Sequence, residues 1–291
     1  MNGDPYPHRT RVSISSGLVL AGALLLLPGI AQAQTWRTVE LSRQLRDTAA
    51  HEVRVRYDVG RFTIGPAEEP LLYEAYIRYD EDRSTPAVTY DPESRALVLE
   101  MRRTSDREVR TKGQGELRLA LSRRAPIDLA LELGAVEADI ALGGIPLNRL
   151  RIDVGASRSA IDFDRPNTVV MRSLELHSGA AGLRATGLAN ARASEMRVAA
   201  GVGSVDLDFG GTWTQDLEAS IDIAIGRVRM RIPPHVGVRV EMSRFLTKFD
   251  HPDFERRGNL FVSRNWDSAE HRLSLRVNTA FGSVSIDRGG D

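Results

Sequence analysis

Short runs of alternating apolar and polar residues, joined at small residues, dominate the second half of the chain. Residues 196–234 show this pattern most clearly. After a bend at 201–204, Val205, Leu207 and Phe209 point one way, and the aspartates between them point the other. A period of two is the signature of a half-buried β-strand. The pattern therefore predicts two short strands joined by a bend.

The next unit, 23 residues further along the chain, repeats this arrangement. Ile221, Ile223 and Ile225 are predicted to point inward before a bend at Gly226, and Val228 resumes the alternation beyond it. Glycine suits such a bend because a positive φ is cheap only without a Cβ. Both strands of each unit are predicted to be half-buried.

The bends recur at nearly constant spacing. Gly134, Gly155, Gly179, Gly201 and Ala224 are separated by 21, 24, 22 and 23 residues. Such periods indicate stacked supersecondary units that cannot bury their apolar face alone. We therefore predict an all-β fold, a single-stack β-solenoid with rungs of about 22 residues and two short strands each.

The pattern also divides the chain into regions. Residues 34–122 alternate less regularly and are predicted to form an N-terminal β domain that caps the stack. Residues 123–291 are predicted to form the β-solenoid repeat domain. Within it, residues 243–267 break the repeat and hold half of the phenylalanines of the chain.

This aromatic insertion has two interpretations. It could close the open end of the stack and hide its edge, or it could form a binding surface. The candidate interaction surface comprises Phe245, Phe249, Phe254, Phe261 and Trp266.

The first 33 residues have the features of a secretory signal peptide. Arg9 and Arg11 precede an apolar run at 18–27, and a small-residue site ends at Ala33. This order predicts cleavage near Ala33 and Gln34, and a periplasmic or extracellular protein. The run is shorter than a membrane span requires, so no membrane span is expected after cleavage.

Charge and cysteine content narrow the possible functions. The chain has 39 basic and 39 acidic residues and no cysteine. A nearly neutral protein has no electrostatic preference for nucleic acid, so we expect no nucleic-acid partner. The lack of cysteine excludes thiol nucleophiles and thiolate metal sites.

Four segments resemble a known family. They are LLYEAYIRYDEDRSTPAVTY at 71–90, AAGVGSVDLDF at 199–209, HVGVRVEMSRFLTKF at 235–249 and HRLSLRVNTAFGSVSID at 271–287. With the signal peptide, they are similar to the bacterial toastrack family. That resemblance implies a toastrack N-terminal domain followed by a β-solenoid related to cell-wall-active antibiotic response proteins and proposed adhesins. It implies an extracytoplasmic, non-enzymatic protein with a role in envelope stress sensing or adhesion.

The residue pattern offers little support for a catalytic site or a metal-binding site. Asp206 with Asp208, and Asp162 with Asp164, are pairs of acids that could act on a glycosidic bond. Their spacing of two places them on the outer face of a strand, where ion pairs with arginines such as Arg229 are expected. The histidines are dispersed and form no metal-binding spacing. We predict no enzyme, no catalytic residue, no metal and no cofactor.

Two hypotheses remain. The first is an envelope interaction, adhesin-like or scaffold protein whose partner is an envelope protein or a cell-wall component. The alternative is a β-solenoid that binds or cleaves a carbohydrate. The partner or ligand is not identified by the sequence.

Overall fold

A computed structural model describes most of the chain beyond the predicted signal peptide. The described residues are 35–104, 115–156, 158–242 and 253–289. The predicted signal peptide at 1–33, and Phe245 and Phe249 of the candidate surface, lie outside them. The predicted all-β class is confirmed. One short 3₁₀-helix, Leu188–Ala191, interrupts the strands.

Sixteen strands make up the described fold. They are β1 (Trp36–Gln44), β2 (His51–Pro66), β3 (Leu71–Asp80), β4 (Ser84–Asp91), β5 (Ala96–Arg103), β6 (Glu116–Leu121), β7 (Ile127–Ala141), β8 (Leu147–Val154), β9 (Arg158–Asp162), β10 (Met171–Thr186), β11 (Ala193–Asp208), β12 (Leu217–Arg231), β13 (Gly237–Met242), β14 (Phe254–Arg257), β15 (Leu260–Ser263) and β16 (Arg272–Asp287).

A parallel ladder of long strands forms the centre of the sheet. Its order is β2, β7, β8 with β9, β10, β11, β12 and β16. The register repeats the spacing seen in the sequence, since Leu176 pairs with Val198 and Val198 pairs with Ile221. Each sequence repeat therefore lies directly on the previous one.

The strands differ from the predicted two short strands per repeat. β10, β11 and β12 are single strands of 15 or 16 residues that pass through the bend, because pairing with both neighbours resumes beyond it. At the bend, the register skips Gly179, Gly201 and Ala224 and resumes with the next residue of each strand. One repeat is divided, into β8 and β9, and these pair with both β7 and β10. β8 pairs with the first halves of β7 and β10 and β9 with their second halves, so the two short strands lie end to end between β7 and β10. The arrangement therefore differs from a plain stack of two-strand rungs.

The N-terminal strands cover one end of the ladder. β5 pairs with the first half of β2 and β6 with its second half. β4 pairs with β5, and β3 and β1 extend the sheet from β6 in antiparallel order. β2 also pairs with β7 along its length. Gln34–Asp291 forms one compact unit, and the predicted boundary at 122 and 123 stays a prediction.

The C-terminal strands have an order that differs from the chain order. β16 lies between β12 and β13, pairing in parallel with both. β15 then pairs with β13, and β14 pairs with β15, both antiparallel. The edge strand β14 is only four residues long, with exposed Glu255, Arg256 and Arg257. Short, charged edges discourage pairing with other chains.

The core consists of apolar columns that run across the ladder. One column contains Val55, Leu131, Ile152, Leu176 and Val198, each at most 1% exposed. Burial of such a side chain stabilises by about 1.5–3 kcal/mol. Within the described ranges, no helix has the length and apolar character needed to cross a lipid bilayer.

Candidate functional site

A groove crosses the parallel strands on the outside of the bend. Its volume is about 1250 Å³, and residues of β2, β7, β8, β10, β11, β12 and β16 line it. We call it the bend groove. Small residues, one from each repeat except the first, where Asp58 takes this position, form its floor. Mostly polar side chains two positions earlier form a wall: Arg56, Glu132, Asp153, His177, Ala199, Asp222 and Asn278.

Close packing between neighbouring strands explains the small residues of the floor. A Cβ added at Gly134 would lie 2.3 Å from the carbonyl oxygen of Asp58. At Gly179 it would lie 2.9 Å from the oxygen of Gly155, and at Gly201 it would lie 2.4 Å from the oxygen of Gly179. The strands therefore require glycine at these three positions, and this part of the floor has no side chains.

Ion pairs fill the wall near the N-terminal end of the groove. Arg56 donates two hydrogen bonds to Glu132. Asp153 Oδ2 accepts a 2.7 Å hydrogen bond from Arg151 Nε, and Asp153 Oδ1 lies 2.7 Å from His177 Nδ1. Burial of Asp153 favours its neutral form, but the hydrogen bonds from Arg151 and His177 outweigh it and lower its pKa. The acids here thus have partners within the protein.

The wall changes at the C-terminal end. Asn278 Nδ2 donates a 2.7 Å hydrogen bond to Asp222 Oδ1. Asp222 forms no ion pair with any residue that the structure describes. Ala199, on the preceding strand, contributes no polar side-chain atom. This end of the wall therefore offers a carboxylate and an amide that remain accessible to a ligand.

An exposed apolar row lies next to the floor, one residue further along each strand. Val59, Val202, Ile225 and Phe281 are 62%, 52%, 51% and 60% exposed. Val202, Ile225 and Phe281 are neighbours in register on β11, β12 and β16. We call these four residues the corner row. Apart from Val170, no other large hydrophobic residue in the described structure is exposed.

The inward orientation predicted for Ile225 is wrong. The alternation is interrupted at Ala224 and again at Gly226, where φ is +154°, so the side chain between the two bends turns outward. The signal was an apolar residue between two small ones, present at Val202, Ile225 and Phe281.

The described part of the candidate aromatic surface belongs to the C-terminal hairpin. Phe254 and Phe261 are half-buried and pack against the main core. The guanidinium carbon of Arg288 lies 5.7 Å from the ring centroid of Phe254, and that of Arg239 lies 5.1 Å from the ring of Trp266. Arg288 is buried and also donates hydrogen bonds to the carbonyl oxygens of Pro234 and Val236. These contacts suit a structural cap, and the predicted role as an interaction surface stays a prediction.

Asp206 and Asp208 lie in ion-pair ladders on the outer face of β11, as the sequence indicated. Arg229 Nη1 lies 3.8 Å from Asp206 Oδ1, and Arg231 Nη1 lies 3.7 Å from Asp208 Oδ2. Asp162 instead accepts a hydrogen bond from Thr186. Among the described residues, no three or more side chains lie together in a way that could hold a metal ion.

The N-terminal part of this all-β chain matches a known family model. Residues 31–169 match the model for the N-terminal domain of toast_rack, DUF2154. The resemblance noted in the sequence is confirmed, and residues 31–169 correspond to the N-terminal domain of the toastrack family.

Several solved bacterial structures are similar at low identity. A proposed cell adhesion protein from Clostridium sporogenes is 15% identical, with a TM-score of 0.46, over 87% of this chain and 100% of that chain. A proposed adhesin from Bacteroides fragilis is 11% identical, with a TM-score of 0.37, over 87% and 98%. A proposed lipid binding protein from Parabacteroides distasonis is 9% identical, with a TM-score of 0.31, over 86% and 96%. No curated protein matches the chain.

Proposed function

We propose that the protein is a non-enzymatic binding protein of the cell envelope, exported to the periplasm or the cell exterior, with an adhesin-like or scaffold role. In this proposal the parallel ladder is a β-solenoid that presents the bend groove to a partner. The bend groove is the observation that carries the proposal. A concave, largely apolar surface with a few fixed polar groups is the usual form of a ligand site.

The charges favour binding over catalysis. Asp206 and Asp208 have arginine partners within 4.0 Å on the neighbouring strand, so the negative charge of each carboxylate is paired within the protein. Perturbed carboxylates in a cleft are the usual sign of acid and base catalysis. Asp153, in the groove, has a lowered pKa, which suits a fixed negative charge and not a proton donor.

The test compares two tryptophan substitutions of alanine. Ala199→Trp fills the bend groove on β11, whereas Ala160→Trp places the same side chain on the exposed face of β9. Purified protein is titrated against the envelope fraction of the cells that produce it. We expect saturable binding without consumption of the ligand.

Binding should fall at least tenfold for Ala199→Trp and stay unchanged for Ala160→Trp. Both variants must keep the circular dichroism spectrum and melting temperature of the wild type. Equal binding by the two variants would remove the bend groove from the function.

A further inference from the structure

The C-terminal end of the bend groove combines polar and apolar surfaces on three adjacent strands. Asp222 and Asn278 form its wall, and Ile225 and Phe281 of the corner row lie beyond the floor. The floor between them consists of Ala224 and Ala280. We call these six residues, with Val202 and Ala199 beside them, the terminal subsite.

The polar pair has hydrogen-bonding capacity left over. A carboxylate accepts at two oxygens, and a primary amide donates two N–H groups and accepts at its oxygen. The bond from Asn278 Nδ2 to Asp222 Oδ1 uses one donor and one acceptor position. The remaining positions are adjacent and include both donors and acceptors, which is what a pair of neighbouring hydroxyl groups requires.

The apolar side complements this pair. Phe281 is 60% exposed and Ile225 is 51% exposed, although burial would be favourable for both. An aromatic ring and an aliphatic side chain suit the C–H face of a sugar ring, whose hydroxyl groups project from its edge. We infer that the terminal subsite binds one ring of an extended, uncharged saccharide chain that lies along the bend groove. This inference rests on the proposed function and specifies its ligand.

The spacing of the strands favours a saccharide over a peptide. A ligand that follows the groove crosses one strand about every 4.8 Å. An extended peptide advances only about 3.3 Å per residue and would lose step with the repeat. One sugar ring of an extended chain spans nearly one strand spacing, so successive rings stay in step with successive strands.

The charge distribution favours an uncharged ligand. Glu132 and Asp153 have their own partners, Arg56, Arg151 and His177, within the groove. Asp58 pairs with Arg103 at 3.5 Å. Apart from Asp222, the acidic side chains of the groove are therefore paired, and the carboxylate of Asp222, which has no ion-pair partner among the described residues, disfavours an anionic saccharide.

The experiment is isothermal titration of the full exported protein with cellohexaose and with chitohexaose, and with an uncharged hexapeptide as the alternative occupant. The two saccharides distinguish a plain glucan from an N-acetylated chain. We expect saturable binding of at least one hexasaccharide, weaker binding of its trisaccharide and none of the peptide. Phe281→Ala and Asp222→Ala should each weaken binding at least tenfold.

Val170→Ala is the matched control. Val170 is 48% exposed, lies just before β10 and does not line the bend groove. Its affinity should equal that of the wild type, and all three variants should melt at the wild-type temperature.

Three results would overturn the inference: no binding of either hexasaccharide, preferential binding of the peptide, or wild-type affinity in both Phe281→Ala and Asp222→Ala. If neither hexasaccharide binds while Ala199→Trp still weakens envelope binding, the proposed function stands and only the ligand class is wrong. If Ala199→Trp has no effect either, both fail.

Discussion

Replacing Gly226 by alanine tests how the strands approach each other at the second bend. The added Cβ would lie 1.8 Å from the carbonyl oxygen of Gly203 on β11. Ordinary contact begins at 3.4 Å, so β12 must move away by roughly 1.6 Å, about a third of the strand spacing. Gly226 also has a φ of +154°, which an alanine rarely adopts.

The expected cost follows from these two effects. The backbone conformation alone costs an alanine about 1–2 kcal/mol. The displacement weakens about two ladder hydrogen bonds beside the bend, each worth about 1 kcal/mol. We therefore expect Gly226→Ala to lower the free energy of unfolding by about 3–4 kcal/mol, measured by urea denaturation with tryptophan fluorescence.

Two further glycines separate the effects. Gly258 has a φ of +70° with no atom within 4 Å of an added Cβ, so Gly258→Ala should cost only the backbone component. Gly201 has no positive φ, but its added Cβ would lie 2.4 Å from the oxygen of Gly179, so Gly201→Ala should cost only the contact component, about 2 kcal/mol. If Gly226→Ala costs no more than Gly258→Ala, the close approach of the strands does not have the stated energetic effect.

Three other predictions address the hairpin, the acids and the response to pH. Phe254→Ala and Trp266→Ala should each lower the free energy of unfolding by about 1–2 kcal/mol, since their rings are half-buried. Both variants should keep envelope binding. Lost binding with unchanged stability would instead make the hairpin the docking surface. Asp206→Asn and Asp208→Asn should leave any release of reducing sugar ends from polysaccharides unchanged, and loss of such activity in either variant would establish catalysis. Burial lowers the pKa of His51 in the folded protein. As the pH falls below about 6.5, His51 is therefore protonated in the unfolded chain before it is protonated in the folded protein. The free energy of unfolding should then decline with falling pH, with a slope of at most about 1.4 kcal/mol per pH unit. His51→Phe should reduce this slope in urea titrations between pH 7 and 5, and equal slopes for both proteins would contradict the assignment.

The sequence predicted those parts of the fold that depend on local pattern. Alternation around Val198 and Val205, and the bends at Gly155 and Gly179, predicted the strands and the repeat that fixes their register. Ile225 was misplaced because two bends lie close together there, and one residue between them escapes the period of two. A pattern along one chain reports which face a side chain takes only while the strand stays regular.

The groove and its terminal subsite could not be predicted in this way. Asp222 and Asn278 are 56 residues apart in the sequence and meet only because β16 pairs with β12. The chain order favours β13 as the neighbour of β12. The small residues on either side of Phe281 mark β16 as a repeat, but they do not indicate which strand it pairs with. The aromatic hairpin was recognised as a departure from the repeat, but its packing beneath arginines follows from the same rearranged strand order.

The position of β16 also constrains how the molecule assembles. β13, β14 and β15 precede β16 in the chain, yet they join the ladder only through it. Until residues 272–287 are present, β12 has a free parallel edge nearly as long as itself, and such an edge is a template for another chain. A chain that is cut or stalled before Arg272 would therefore lose its C-terminal cap and its terminal subsite together, and its most favourable partner would be the same edge of a second incomplete copy.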